Sequence, residues 1–375
     1  MSKVWTVESS VGAYARRGHC SARTRGNMVS TKPQSVRFGL IYTHLYDDTH
    51  EASPQNSYER SWSGLLEHVV WAESVGFESV WLAERHSSTY PPSPLIVASA
   101  LAARTRSVRI GTNLMVAPLH HPLRLAEDAA SVSVLSDGRF DLGLGQGHKK
   151  SDFESFGVEM RFRPSLLEET VTILRRAWSG HAFGFEGKRY RIPEGTVVQP
   201  VPAAPPRILV GATSEAGMAR AARISDGFLS AFNGHIRQFV DLASQAGAGA
   251  DLPIFAAQQA IIADDPEREW SRVGPHAMDH ANRNLPGDQQ MTKSEEVLNK
   301  KMIALWDADK AVESIVRLIQ RHPTIEDVHF LARGGPGESW SDTYERLEFL
   351  SSSVLPRVRT LLGDEANGRE SARTP

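Results

Sequence analysis

Short apolar runs alternate along the chain with longer stretches in which apolar residues recur every three or four positions. The runs are 36–42 (VRFGLIY), 78–86 (ESVWLAERH), 108–118 (VRIGTNLMVAP), 139–147 (RFDLGLGQG), 207–214 (RILVGATS), 226–232 (DGFLSAF), 253–263 (PIFAAQQAIIA) and 327–335 (DVHFLARGG). Their length and apolar content predict strands, and 57–75, 94–105, 122–136, 165–179 and 215–224 carry helical spacing. Alternating strands and helices imply βαβ units and a parallel sheet. Eight such units imply a closed (β/α)8 TIM barrel, with an open doubly wound sheet as the other arrangement the pattern admits. Punctuation agrees: Pro122 and Pro164 suit helix starts, and Asp137-Gly138 suits a helix end.

Two stretches exceed what a barrel needs. Residues 181–206 read as a hairpin (FGFEGKRYRI) and a proline-rich connector (PVPAAPP), placed after the fourth strand. Residues 264–308 read as a long polar excursion after the seventh strand, broken at Gly274-Pro275 and Pro286-Gly287. Loops of that length are functional lids or passive insertions. The barrel domain is therefore placed at 36–362. Residues 1–35 hold Lys3, Arg16, Arg17, Arg23, Arg25 and Lys32 against Glu8 alone, and read as a disordered or basic extension with some transit-peptide flavour. Residues 363–375 read as a disordered tail.

Composition narrows the class. Among 375 residues, 42 lysines and arginines face 44 acids, a net charge of −2. That balance argues against nucleic acid as a partner. No apolar run approaches the ~18 residues of a membrane span. The single cysteine, Cys20, excludes a disulfide framework and a cysteine-rich zinc site. A cytoplasmic globular protein is expected.

Motif chemistry is weak in the middle of the chain and stronger at strand ends. GLGQG (143–147) lacks the G-x-G-x-x-G spacing of a dinucleotide loop, and no P-loop, G-x-S-x-G or H-E-x-x-H motif occurs. His276 and His280 are four apart without the glutamate of a zinc motif, so no metal is expected there. The second run ends in Glu84-Arg85-His86, three polar residues where a barrel places its active site. The other reading is an ion pair of Glu84 with a neighbouring arginine. Asn113 interrupts an apolar strand, and a buried amide needs partners, either a ligand or backbone. Thr213 and Ser214 stand where a helix amino terminus presents free N–H groups to an anion, although Ser214 also suits plain N-capping.

The stretch 109–147 closely resembles the bacterial luciferase-like, flavin-dependent monooxygenases. The resemblance is carried by Gly111-Thr112, by His121-Pro122-Leu123-Arg124-Leu125-Ala126-Glu127-Asp128, and by Ser136-Asp137-Gly138-Arg139-Phe140. WLAERH (81–86), SDFESFGV (151–158) and 197–217 are also similar to that family. The likeness covers about 36–235 well and 300–360 loosely.

This resemblance implies a (β/α)8 barrel that uses reduced FMN and O2 through a C4a-peroxyflavin to oxygenate a small organic substrate. It implies a separate NAD(P)H flavin reductase as partner, and a homodimer or a heterodimer with a homologue. Residue by residue, it places a non-prolyl cis peptide at Asn113-Leu114 beneath the flavin ring. It places Gln146, Gly211, Ala212, Thr213, Ser214 and Gly217 around the cofactor phosphate. Gln146 stands where the family's luciferase has an arginine, and Lys149 or Lys150 would compensate for the lost charge. Arg85 and His86 fall on a histidine pair, which makes them the expected catalytic residues and puts light emission in doubt. Two other readings keep the fold: a deazaflavin-dependent oxidoreductase, and a non-catalytic flavin-binding partner subunit.

Overall fold

The computed structural model describes residues 35–43, 54–86, 93–247, 251–282, 285, 289–333 and 338–363. The chain begins β1 (Arg37–Tyr42), α1 (Pro54–Ser74), β2 (Ser79–Leu82), α2 (Pro94–Arg104), β3 (Arg109–Thr112), β4 (Met115–Val116), α3 (Pro122–Leu135) and β5 (Phe140–Gly145). Next come α4 (Lys150–Ser155), α5 (Arg163–Ala177), the hairpin β6 (Phe183–Glu186) and β7 (Arg191–Thr196), β8 (Arg207–Gly211), α6 (Glu215–Ile224), β9 (Gly227–Ser230), α7 (Asn233–Gln245) and β10 (Ile254–Gln258). It continues with β11 (Ala260–Ile262), α8 (Pro266–Asn282), α9 (Glu295–Asn299), β12 (Ala304–Trp306), α10 (Ala308–Arg321), β13 (Ile325–Leu331), α11 (Trp340–Phe349) and α12 (Leu355–Leu362).

The eight apolar runs supply the eight strands of one closed parallel barrel, in the order β1, β2, β3, β5, β8, β9, β10, β13. Closure is explicit: β1 pairs with both β2 and β13, and β3 pairs with β5. The open-sheet alternative is thereby excluded. The five helical patterns are α1, α2, α3, α5 and α6. Pro122 and Pro164 lie in the first turns of α3 and α5, and Asp137 and Gly138 take positive φ after α3.

Side-chain alternation divides the barrel into two cores. Outward residues such as Phe38, Leu40, Val80, Ile110, Leu142 and Val210 pack against helix residues including Leu65, Val69, Leu101, Leu125 and Val171. Inward residues Ile41, Trp81, Leu209, Leu229, Phe255 and Leu331 form a separate cluster inside the barrel. Trp81 fits only because Gly111 faces it, since a Cβ there would lie 2.3 Å from the indole.

At the amino ends of the strands the charged residues form a connected layer. Asp141 is buried between two arginines, with Arg109 at 2.8 and 3.0 Å and Arg207 at 2.8 and 2.9 Å. Arg207 also reaches Glu326 at 2.8 Å, and Glu326 accepts from Arg37 at 2.6 Å. Bidentate pairs of this kind bring strands β3, β5, β8, β13 and β1 together with their charges compensated.

The insertion at 264–308 differs from a polar loop. It contains α8, α9 and β12, and β12 pairs with β11. Trp270, Val273, Ala277, Ala281, Met291 and Val297 give it a core of its own with Ile261. The spacing 270, 273, 277, 281 is helical; its polar surroundings hide the pattern. Gly274-Pro275 is inside α8 rather than a turn, at the cost of one helical hydrogen bond. Gly274 admits Trp270, whose ring a Cβ would approach to 2.8 Å. His276 and His280 accordingly lie on a helix. Among the described residues no group of three or more His, Cys, Asp or Glu is arranged to hold a metal ion, and no helix is long and apolar enough to cross a membrane. The expectations for residues 1–34, for Pro286-Gly287 and for 364–375 lie outside the described residues.

Burial alone would raise the Asp141 carboxyl, but the hydrogen bonds and charges of Arg207 and Arg109 outweigh it and hold it below the usual aspartate range. A carboxylate depressed in the folded state adds stability above its unfolded value of about 3.9, and that stability is lost as pH falls through the lower folded value. Asp141→Asn is expected to cost about 3–5 kcal/mol at pH 7 in urea denaturation, and to narrow the stability gap between pH 7 and pH 3. An unchanged midpoint at pH 7 would show that the layer adds nothing net.

Candidate active site

Glu84 follows β2 and is buried. Its Oε2 accepts the Val116 N–H at 2.6 Å, and its Oε1 accepts from His120 Nε2 at 2.8 Å and from His86 Nε2 at 3.0 Å. Its own N–H donates to the Leu114 carbonyl at 3.2 Å. Burial pushes the carboxyl up, but the hydrogen bonds from His120 and His86, the charge of His120 and the Val116 N–H together hold it below the usual range. Glu84 is therefore an acceptor, so both imidazoles present an Nε2–H to it. The partners described for Glu84 are histidines, whereas the alternative reading of the sequence paired it with a neighbouring arginine. His86 also packs its ring 4.5 Å from that of Phe156, and its carbonyl accepts from Lys149 at 3.2 Å.

Between β3 and β4 the Asn113–Leu114 peptide bond is cis. The Asn113 N–H donates to Leu82 O at 2.8 Å, and its side-chain amide lies 2.9 Å from His329 Nε2. His329 Nδ1 lies 3.1 Å from Asp327 Oδ1, which also accepts the Trp81 indole N–H at 3.1 Å. Asp327 and His329 are both fully buried in the barrel. With Asp327 accepting from Nδ1–H, Nε2 is left to accept from the Asn113 amide. The Leu114 side chain crosses the mouths of two further strands. A Cβ on Gly145 would lie 2.6 Å from it, and one on Gly211 2.5 Å.

Gln146 lies two residues beyond Leu144, which pairs with Val210, and Ala212 lies two beyond Val210. Gln146 Oε1 is buried and accepts no hydrogen bond from a described residue. Thr213 and Ser214 are exposed, and Ser214 caps α6 by accepting from the Gly217 N–H at 3.2 Å. Lys149 and Lys150 pair with Asp152 and Glu154, each at 3.3 Å. The positive charge near the end of β5 comes from arginines as well. Burial, then the charge on Arg85, hold His148 below the usual imidazole range; Arg163 and Lys149 add to this and Asp152 opposes it.

Arg85 and His86 thus follow β2, Asn113 and Leu114 follow β3, and Gln146 follows β5. Gly211, Ala212, Thr213, Ser214 and Gly217 lie at the end of β8. These four strands are neighbours, so the residues share one arc of the barrel mouth. The sequence reading overlooked His120, His148, Arg163 and His329. His329 sits in an apolar run, and the signal for it is a charged-polar alternation, Asp327-x-His329, on the inward face. His120 adjoins a proline-started helix and reads as part of its cap.

The profile of the family described as luciferase-like monooxygenase matches residues 43–316. The chain belongs to that family. The luciferase-like chain is 27% identical over 331 residues to an F420-dependent glucose-6-phosphate dehydrogenase of Nakamurella multipartita, covering 80% of this chain and 94% of that one. It is 29% identical over 182 residues to the oxygenase component of the flavin-dependent trigonelline monooxygenase of Acinetobacter baylyi, a match spanning 47% of this chain and 49% of that relative. In structure it is similar to monooxygenase RslO1 of Streptomyces bottropensis, with a TM-score of 0.73, 21% identity and coverage of 86% and 99% of the two chains.

Replacing Glu84 separates its acceptor role from its shape. Glu84→Leu strands the Val116 N–H and both imidazole N–H groups, and is expected to cost about 1–3 kcal/mol in urea denaturation. Glu84→Gln keeps an acceptor oxygen and should cost less. Equal losses would mean that packing, not hydrogen bonding, is what Glu84 supplies.

Proposed function

We propose that this luciferase-like chain is the oxygenase component of a two-component flavin monooxygenase. It takes reduced FMN and O2, acts on a small organic molecule in the cytoplasm, and receives its flavin from a separate NAD(P)H-dependent reductase. It works as a dimer, with itself or with a homologue. The observation that carries this reading is the convergence of the Asn113–Leu114 cis peptide, Gln146 and the α6 amino terminus on one arc. The donor set fits a flavin. The buried Gln146 oxygen calls for a hydroxyl or N–H donor, and an exposed helix amino terminus suits a phosphate. Asn113 and Leu114 would support the ring, and Gln146 with Gly211, Ala212, Thr213, Ser214 and Gly217 would hold the polar end. Reduced FMN, when bound, supplies the electrons that activate oxygen. The chain's own groups do the rest. Leu114, Leu229 and Leu331 keep water out. His86, oriented by Glu84, moves a proton at the substrate, and Arg85 faces developing negative charge. The trigonelline relative, named as an oxygenase component, supports the separate reductase.

A second reading keeps the arc but uses a deazaflavin for hydride transfer. The F420-dependent relative matched over 94% of its length favours it. Titration with photoreduced FMN, followed by rapid mixing with oxygenated buffer, separates the two. Saturable binding and oxygen consumption are expected; binding of reduced F420 alone would overturn the FMN reading. In the same assay His86→Ala should keep flavin affinity and lose about 100-fold or more in product formation. Ser214→Asp should weaken FMN binding several-fold through like-charge repulsion, and an unchanged dissociation constant would move the phosphate elsewhere.

A further inference from the structure

Beside this arc, the carboxyl ends of β9 and β10 and the insertion line an open cavity of about 680 Å3. That is within the range of small-molecule sites. Its Ile303 packs both into the insertion's core and onto the barrel-interior cluster that holds Leu114 and Trp81. Trp306 and Phe232 add aromatic surface. On the wall, the buried Gln258 and the solvent-exposed Asn233 exchange amide hydrogen bonds at 3.0 and 3.2 Å. Lys301, itself solvent-exposed, is the one charged residue of the lining.

The backbone at Lys301 gives a second, independent indication. The Lys301 N–H donates to Leu298 O at 2.8 Å and the Met302 N–H to Val297 O at 3.0 Å, the paired bonds of a Schellman end to α9. The residue at this position takes φ +54°, left-handed space that glycine fills most easily. A lysine here disfavours the turn, and what it adds is a charge in the cavity. Strained positions of this kind concentrate at ligand sites.

We propose that this cavity binds the organic substrate as an anion. An acidic group sits against Lys301, a flat apolar body lies between Ile303 and Trp306, and a polar substituent meets the Asn233–Gln258 amide pair. The inference deepens the flavin-enzyme reading and rests on it, because Ile303 of the cavity lining and Leu114 pack against the same barrel-interior cluster.

The test is calorimetric titration of the full-length protein with naphthalene-2-carboxylate and with the isosteric naphthalene-2-carboxamide. The acid should bind about tenfold more tightly, as a charge-assisted hydrogen bond provides, and salt should erode the difference. Lys301→Gly should abolish the preference while leaving thermal stability unchanged or raised, since glycine relieves the left-handed turn. Lys301→Arg should retain it. Equal affinity for acid and amide, no binding of either, or a preference that survives Lys301→Gly would each overturn the proposal. Reduced FMN is titrated into the same samples. Loss of flavin binding with the acid preference intact would overturn the flavin reading and keep the anion site; flavin binding without the preference would do the reverse.

Discussion

Taking a carboxylate out of water is costly unless donors meet its oxygens, and Glu84 is buried at the point where the strand ends must be organised. Val116, His86 and His120 provide those donors, and the Glu84 backbone returns a hydrogen bond to Leu114. One side chain therefore ties the end of β2 to the crossing segment 113–116 and to the imidazole that precedes α3. That segment carries the cis peptide and sends Leu114 over Gly145 and Gly211. The positions of Gln146 and of the turn before α6 follow from the same packing, because a side chain on either glycine would displace Leu114. The site is an outcome of how one buried charge is compensated.

The two ends of the barrel handle polarity differently. At the amino end, Asp141 and Glu326 are matched by Arg37, Arg109 and Arg207 with close contacts throughout. In the barrel interior a chain runs from Asp327 through His329 to Asn113, beside Trp81. The chain spends buried histidine and aspartate on orienting one asparagine amide. That expense is intelligible where the asparagine lies in the peptide on which the proposed cofactor rests.

Much of the fold was legible because it depends on local alternation. Eight apolar runs, proline at two helix starts and Asp137-Gly138 after α3 mark the barrel without reference to anything distant. The hairpin at β6 and β7 was legible for the same reason. The position of the cis bond came from resemblance, since nothing in the residues Asn113 and Leu114 announces it. Contacts over long separations were not legible. Asn113 meets His329 across 216 positions, and Glu84 meets His120 across 36. The insertion was misread for a third reason: its apolar stripe at 270, 273, 277 and 281 is diluted by charge, and Gly274-Pro275 mimics a turn while serving close packing around Trp270.

That insertion also differs from the rest of the chain in how it is packed. Its core of Trp270, Val273, Met291 and Val297 is separate from the cores of the barrel, so substitutions within it need not disturb strand closure. Ile303 joins it to the barrel interior, Ala304 and Trp306 pack on the outer core, and Arg272 pairs with Asp342 at 2.9 Å. Lys301 lies at the junction: its backbone ends α9, and the residue lines the cavity beside α9 and β12. A residue that disfavours its own turn while adding the one charge to a cavity is better explained by the ligand than by the fold.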